Sequence, residues 1–161
     1  MKHVALLIID VQQAFVGHQQ HTPMYENTMA YINATSKMFR QFKHPVYVIR
    51  DLEEGEGEDY QVVNDLVVND IDVKMDKYYN NSFWKTSLEE DLKKKGIDTV
   101  ILCGNALEYC VTATYFGALE RGFKALFLQQ GIFAVDLKSL DILYATRPLI
   151  SFTALSTLLN A

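Results

Sequence analysis

HVALLIID, residues His3–Asp10, is the stretch on which the fold turns. Val4 to Ile9 are apolar without a polar interruption and partly β-branched, so the segment predicts a strand buried on both faces. Such a strand needs helices above and below it, and the chain supplies helical patterns between further strands. Thr22-Pro23 opens a helix with proline at its first position, and Tyr25, Met29, Ile32, Met38, Phe39 and Phe42 recur at helical spacing as far as Lys43. Beyond Pro45, Val46–Arg50 (VYVIR) is a second buried strand, and Asp72–Met75 a short third. Leu88–Lys95 is a helix ended by lysine and Gly96, and Thr99–Cys103 (TVILC) a fourth strand running into Gly104. Leu107–Arg121 is helical up to Gly122, Lys124–Leu128 is a fifth strand and Asp136–Tyr144 a helix. Leu149–Phe152 is a sixth strand and Ala154–Leu159 a last short helix. Asp51–Asp59 (DLEEGEGED) is an acidic loop, and Val62–Val68, ambiguous in period, is at most a short helix.

Strands alternating with helices imply an α/β fold: a doubly wound, mostly parallel six-stranded, Rossmann-like sheet in three αβα layers. No repeat, low-complexity tract or Pro/Gly/Ser-rich linker divides the chain, so residues 1–161 read as a single domain. With 49% hydrophobic and 22% charged residues, the composition is that of an ordinary globular protein, long enough to bury a core. Fifteen Lys and Arg against 20 Asp and Glu give a net charge of −5, and Lys93–Lys95 is the sole basic run, so a nucleic-acid partner is not expected. No apolar run reaches the roughly 18 residues of a membrane span. The N-terminal stretch runs into Asp10 without a small-residue cleavage site, unlike a signal peptide. Two cysteines, Cys103 and Cys110, make neither a disulfide framework nor a zinc spacing. The expectation is a cytoplasmic, acidic domain without a membrane partner.

A doubly wound sheet also says where chemistry belongs. Ligands bind beyond the carboxyl ends of the strands, where strand order reverses, which in the order 3-2-1-4-5-6 lies between strands one and four. Strand one ends at Asp10, and strand four ends at Gly104, six residues before Cys110. At the end of an apolar strand, Asp10 is either a carboxylate whose desolvation fits it for general-base work or a cap for the next turn. Cys110, in the first turn of a helix, is either a thiol activated by the helix N-terminus or a small buried hydrophobe. Cys103, inside its strand, fits the second description. Lys77 opens the aromatic and polar segment Tyr78–Phe83, where it either stabilises a neighbouring thiolate or oxyanion or is solvated. Phe15, Tyr78, Phe83 and Trp84 flank this region and suggest an apolar substrate wall, although each could equally be core.

Other chemistries lack their residues. His3, His18, His21 and His44 show no metal-ligand spacing, and neither GxGxxG, GxxxxGK[ST] nor GxSxG occurs.

Three segments together resemble the isochorismatase-like cysteine hydrolases, the family of nicotinamidases and N-carbamoylsarcosine amidase. LLIIDVQQAF at Leu6–Phe15 resembles the family's opening strand and aspartate motif. Lys77 through Phe83, with Thr86 and Leu88, resembles its Lys-x5-Phe segment. Gly96–Gly104, then Cys110, Val111, Thr114, Ala118 and Gly122, resembles its nucleophile block. The resemblance implies Cys110 as nucleophile, Asp10 as base and Lys77 as the cationic third member. It also implies a cis peptide bond between Asn105 and Ala106, and an oxyanion hole from the N–H groups of Ala106 and Cys110. Members that cleave the isochorismate vinyl ether lack this cysteine, so the implied reaction is hydrolysis of a small amide or ureide through a thioester.

The chain departs from the family in places. Nicotinamidases carry Asp-x-His after strand two; here the match reads Asp51-Leu52-Glu53, and residues 45–161 hold no histidine. No catalytic metal and no cofactor are therefore expected. Asn105 and Leu107 replace the residues usual before the nucleophile, and Gln129-Gln130-Gly131 stands where Asp-Ala is common. By analogy the chain is expected to form a homo-oligomer, a dimer or larger, around a small-molecule substrate. The rival readings are a non-catalytic binding or assembly member of the family and a flavodoxin-like nucleotide domain, the latter disfavoured by the missing phosphate loops.

Overall fold

In a computed structural model, which describes residues 3–160, the strands are β1 (Val4–Ile9), β2 (Val46–Asp51), β3 (Val73–Lys77), β4 (Thr99–Gly104), β5 (Lys124–Ile132) and β6 (Leu149–Ile150). They form one six-stranded sheet in the order β3-β2-β1-β4-β5-β6. Each adjacent pair is parallel, so the sheet is wholly rather than mostly so. The helices are α1 (Gln13–Val16), α2 (Pro23–Gln41), α3 (Leu88–Lys94), α4 (Thr112–Glu120), α5 (Lys138–Thr146) and α6 (Phe152–Leu159).

β1 shows why helices cover both faces. Its side chains alternate, as strand geometry requires. Ala5, Leu7 and Ile9 enter one core with Leu88 and Leu92 of α3, Tyr115 and Ala118 of α4 and Leu143 of α5. Val4, Leu6 and Ile8 enter the other with Tyr25, Met29 and Ile32 of α2 and Leu155 and Leu159 of α6. All six β1 residues are buried. At roughly 1.5–3 kcal/mol for each large apolar side chain removed from water, this strand anchors both layers. Thr22 caps α2, its hydroxyl accepting from Tyr25 N–H at 3.2 Å, with Pro23 at the first helical position.

The structure redraws several elements. Val62–Val68 is not a helix: Val62 bridges Gln12, and Val63 N–H donates to Val11 at 3.0 Å, so the segment is held to the chain leaving β1. The helix expected from Leu107 begins instead as a π-type turn, Leu107–Val111, and becomes α-helical at Thr112. β5 runs on to Ile132 across a register shift opposite Leu102 and Gly104, and β6 is only Leu149–Ile150. Apolar periodicity does not register such backbone irregularities, because the same residues are buried either way.

One glycine is demanded by the sheet. Gly104 pairs with Ile9, has φ of +109°, and a Cβ there would lie 2.0 Å from the Ile9 carbonyl oxygen. Side-chained residues are excluded by both the conformation and the contact. Through that close approach the end of β4 stays tight against the end of β1. Among the described residues, no helix is long and apolar enough to cross a membrane.

Candidate active site

The carboxyl ends of β1, β2, β3 and β4 deliver their last residues to one edge of the sheet. Asp10 follows β1 with φ of +52°, a left-handed conformation that Asp tolerates better than most residues and that turns the chain out of the strand. Its N–H still donates to Ile49 at 3.0 Å. Asp51 ends β2 and Lys77 ends β3, and the two are paired in register. Gln12 is fully buried and locks β1 to β2: its amide donates to the Asp51 carbonyl at 2.9 Å and the Tyr60 carbonyl at 2.8 Å, and accepts from Asp51 N–H at 2.7 Å.

Lys77 has no exposed surface, and its ammonium organises the cluster. Nζ lies 3.0 Å from Asp10 Oδ2, 2.5 Å from Asp51 Oδ2, 3.0 Å from the Tyr79 carbonyl and 3.4 Å from Cys110 Sγ. The thiol in turn lies 3.5 Å from Asn80 Oδ1 and 3.6 Å from Asp51 Oδ2. Asp10 Oδ1 is buried without a hydrogen-bond partner among the described residues. The Asn105–Ala106 peptide bond is cis. The loop carrying Asn80 is pinned to α4, where Thr114 accepts from Ser82 N–H at 3.0 Å and donates to Ser82 Oγ at 2.8 Å.

Burial lifts the Asp10 carboxyl to about 6, against the pull of the Lys77 charge. For Lys77, burial acts downward, but Asp10, Cys110 and Asp51 outweigh it and hold the ammonium above the ordinary lysine value. Burial pushes the Cys110 thiol up, with the Asp10 charge adding and Lys77 opposing. At neutral pH the cluster therefore holds a charged lysine, an ionised Asp10 and a protonated thiol. The thiol sits in the π-type turn that leads directly into α4.

A cavity of about 250 Å³ opens over the cluster. Buried Asp10, Asp51 and Cys110 line it, with Asn80, Asn105 and Ala106 beside them and Phe15, Glu53, Glu54 and Tyr109 toward solvent. Of the four aromatic residues expected at a substrate wall, Phe15 alone lines this cavity. Phe83 is a core residue stacked on Phe123, with centroids 5.6 Å apart, while Tyr78 and Trp84 face solvent outside it. Proximity in sequence to Lys77 does not decide which way a side chain points from an irregular loop. Asp51, Asn80 and Tyr109 join the site without having been singled out. The signal for Asp51 was present: it ends a buried strand just as Asp10 does.

The donor set does not suit a metal. The ligand atoms of Asp10, Asp51 and Cys110 lie within 4.8 Å of one another, but they converge on the Lys77 ammonium, which fills the position a cation would take. The other oxygen of Asp51 accepts from Glu53 N–H at 2.9 Å, and among the described residues no histidine lines the cavity.

Residues 4–141 match the isochorismatase domain. The chain belongs to the isochorismatase family. An uncharacterized isochorismatase family protein, YrdC of Bacillus subtilis (strain 168), is 27% identical over 171 residues, covering 96% of this chain and 86% of that protein. The isochorismatase fold is shared with a family member from Burkholderia thailandensis at a TM-score of 0.90 and 18% identity, over 100% of this chain and 97% of that one. N-carbamoylsarcosine amidase from Thermoplasma acidophilum superposes at 0.80 with 22% identity, over 94% and 95% of the two chains. The architecture is thus that of the isochorismatase-family hydrolases, with Asp10, Lys77 and Cys110 gathered at the carboxyl edge of its sheet.

Proposed function

We propose that this protein hydrolyses the C–N bond of a small amide or ureide, with Cys110 as nucleophile, Asp10 as base and Lys77 as electrostatic stabiliser. The observation that carries the reading is the shared ammonium: Lys77 Nζ sits 3.0 Å from Asp10 and 3.4 Å from Cys110 at the buried end of a cavity. A buried lysine held between a carboxylate and a thiol in an opening of this size has little structural purpose, since a buried ion pair is weak as a source of stability. The amidase among the structural relatives supports the same direction.

In this reading Asp10 takes the Cys110 proton as Sγ attacks the carbonyl carbon. The oxyanion is met by the N–H groups of Ala106 and Cys110, both cavity-lining residues. Collapse breaks the C–N bond, and Asp10 returns the proton to the departing amine. Water then attacks the thioester while Asp10 accepts its proton. The C–S bond breaks, the carboxylic product leaves, and the thiol is restored. Lys77 remains charged throughout and balances the negative charge on Asp10 and sulfur.

We also infer that the chain works as one domain in a homo-oligomer. Exposed Val135 and Leu137 support this, because large apolar side chains side by side on one cavity wall favour a covered face.

Alkylation by iodoacetamide, read for each cysteine by peptide mass spectrometry, tests the nucleophile without a known substrate. Cys110 should react and depend on Asp10, slowing at least about tenfold in Asp10→Asn, while buried Cys103 stays inert. Ammonia release from a panel of small amides, with Cys110→Ala as blank, tests the reaction. A Cys110 as inert as Cys103 in the folded protein would overturn the reading.

A further inference from the structure

The charge of the cavity narrows the substrate further. Among the described residues its lining holds four carboxylates, those of Asp10, Asp51, Glu53 and Glu54, and no lysine, arginine or histidine. Lys77 lies beneath with no exposed surface, and its ammonium is engaged by Asp10, Asp51 and the Tyr79 carbonyl. A substrate carboxylate would therefore enter a field of like charge with no free cation to receive it. Glu53 and Glu54 are exposed, and neither forms an ion pair with a basic residue among the described residues. Beside them Phe15 and Tyr109 bring aromatic rings to the same opening. Carboxylates and ring faces together attract an organic cation, by charge and by the ring quadrupole.

An independent observation points to a ligand bearing N–H. Asp10 is 1% exposed and lines the cavity, and its Oδ1 meets no hydrogen-bond partner among the described residues. A buried carboxylate oxygen costs free energy unless a donor meets it. The amide nitrogen of a substrate lying over Cys110 would supply that donor. The volume of about 250 Å³ is below the roughly 300–1,000 Å³ typical of pockets for drug-sized ligands, so the molecule is small.

We propose that the substrate is a small amide carrying a cationic group, an ammonium or guanidinium, which sits among Glu53, Glu54, Phe15 and Tyr109 while the amide lies over Cys110. This rests on the hydrolase reading for the word amide, but the charge preference of the cavity can be measured apart from it.

The test compares labelling of Cys110 by two thiol reagents of similar size and opposite charge, 2-aminoethyl and 2-sulfonatoethyl methanethiosulfonate, each rate normalised to that of 2-mercaptoethanol. The cationic reagent should be favoured by about tenfold or more. That ratio should fall several-fold in the exposed double variant Glu53→Gln, Glu54→Gln, and in 1 M NaCl. A ratio at or below one, a ratio unmoved in the double variant, or failure of both reagents to label Cys110 would each overturn the proposal. Ammonia release from β-alaninamide, butyramide and succinamate, near-isosteric amides that are cationic, neutral and anionic, separates the two readings. Preference for succinamate overturns the cationic substrate and leaves the hydrolase standing. A cationic labelling preference with no ammonia from any amide supports the cavity's selectivity and tells against the hydrolase.

Discussion

Lys77 is the residue whose loss has the clearest consequence. Its ammonium lies between two carboxylates that are themselves buried, Asp10 at 1% and Asp51 at 6% exposure. Replacing it by methionine keeps the stem but leaves both carboxylates without a counter-ion. Breaking a buried pair in this way costs about 3–5 kcal/mol, so Lys77→Met should lower the urea midpoint sharply, and adding Asp51→Asn should recover part of the loss. The pH dependence follows from Asp10. Only its ionised form accepts the thiol proton, so reaction at Cys110 should rise with pH through about 6 and level off above. Because the Lys77 charge acts to lower the Asp10 pKa, its removal should move that limb upward. A limb unmoved in Lys77→Met, measured as the alkylation rate of Cys110 against pH, would mean that Asp10 is not the group being titrated.

At the scale of elements, the cluster depends on how closely β1 and β4 run. Gly104 permits that approach, and a methyl group added there would meet backbone, not a movable side chain. Gly104→Ala should therefore destabilise the fold by more than about 3 kcal/mol and separate Cys110 from Asp10. Denaturant titration and Cys110 alkylation should both register it. If the variant kept wild-type stability, the close contact at Ile9 would not be a constraint of the folded protein. The π-type turn at Leu107–Val111 is the second element-scale feature, since it carries Leu107, Cys110 and Val111 inward and leaves Tyr109 exposed at the cavity mouth.

For the molecule as a whole, the proposed homo-oligomer would cover exposed apolar side chains such as Val135, Leu137 and Ile142, at 74%, 55% and 64% exposure. Light scattering after gel filtration should show a dimer or larger species. Val135→Glu with Ile142→Glu should shift it toward the monomer without changing the circular dichroism, because neither side chain supports the core. A monomeric wild type would remove the assembly from the account.

Much of this was legible in the chain. Apolar runs without alternation identified the central strands, and Thr22-Pro23 and Gly122 marked helix ends, because these signals are local and act wherever the residues are placed. Asp10 and Cys110 could be brought together from the chain alone, since a doubly wound sheet carries the ends of strands one and four to the same edge. The direction of side chains from irregular backbone was not legible. Phe83 went to the core and Trp84 to solvent from adjacent positions. Val62–Val68 gave up helix for contacts with Val11 and Gln12, residues about fifty positions earlier. Asp51 became a partner of Lys77 through the register of β2 against β3. The sequence by itself determined the class of fold, the strand ends where chemistry gathers and the family. Only the tertiary structure decided that Lys77 is held between Asp10, Asp51 and Cys110 beneath a cavity lined with carboxylates, because burial and distance between remote residues are set when layers pack and have no local pattern to carry them.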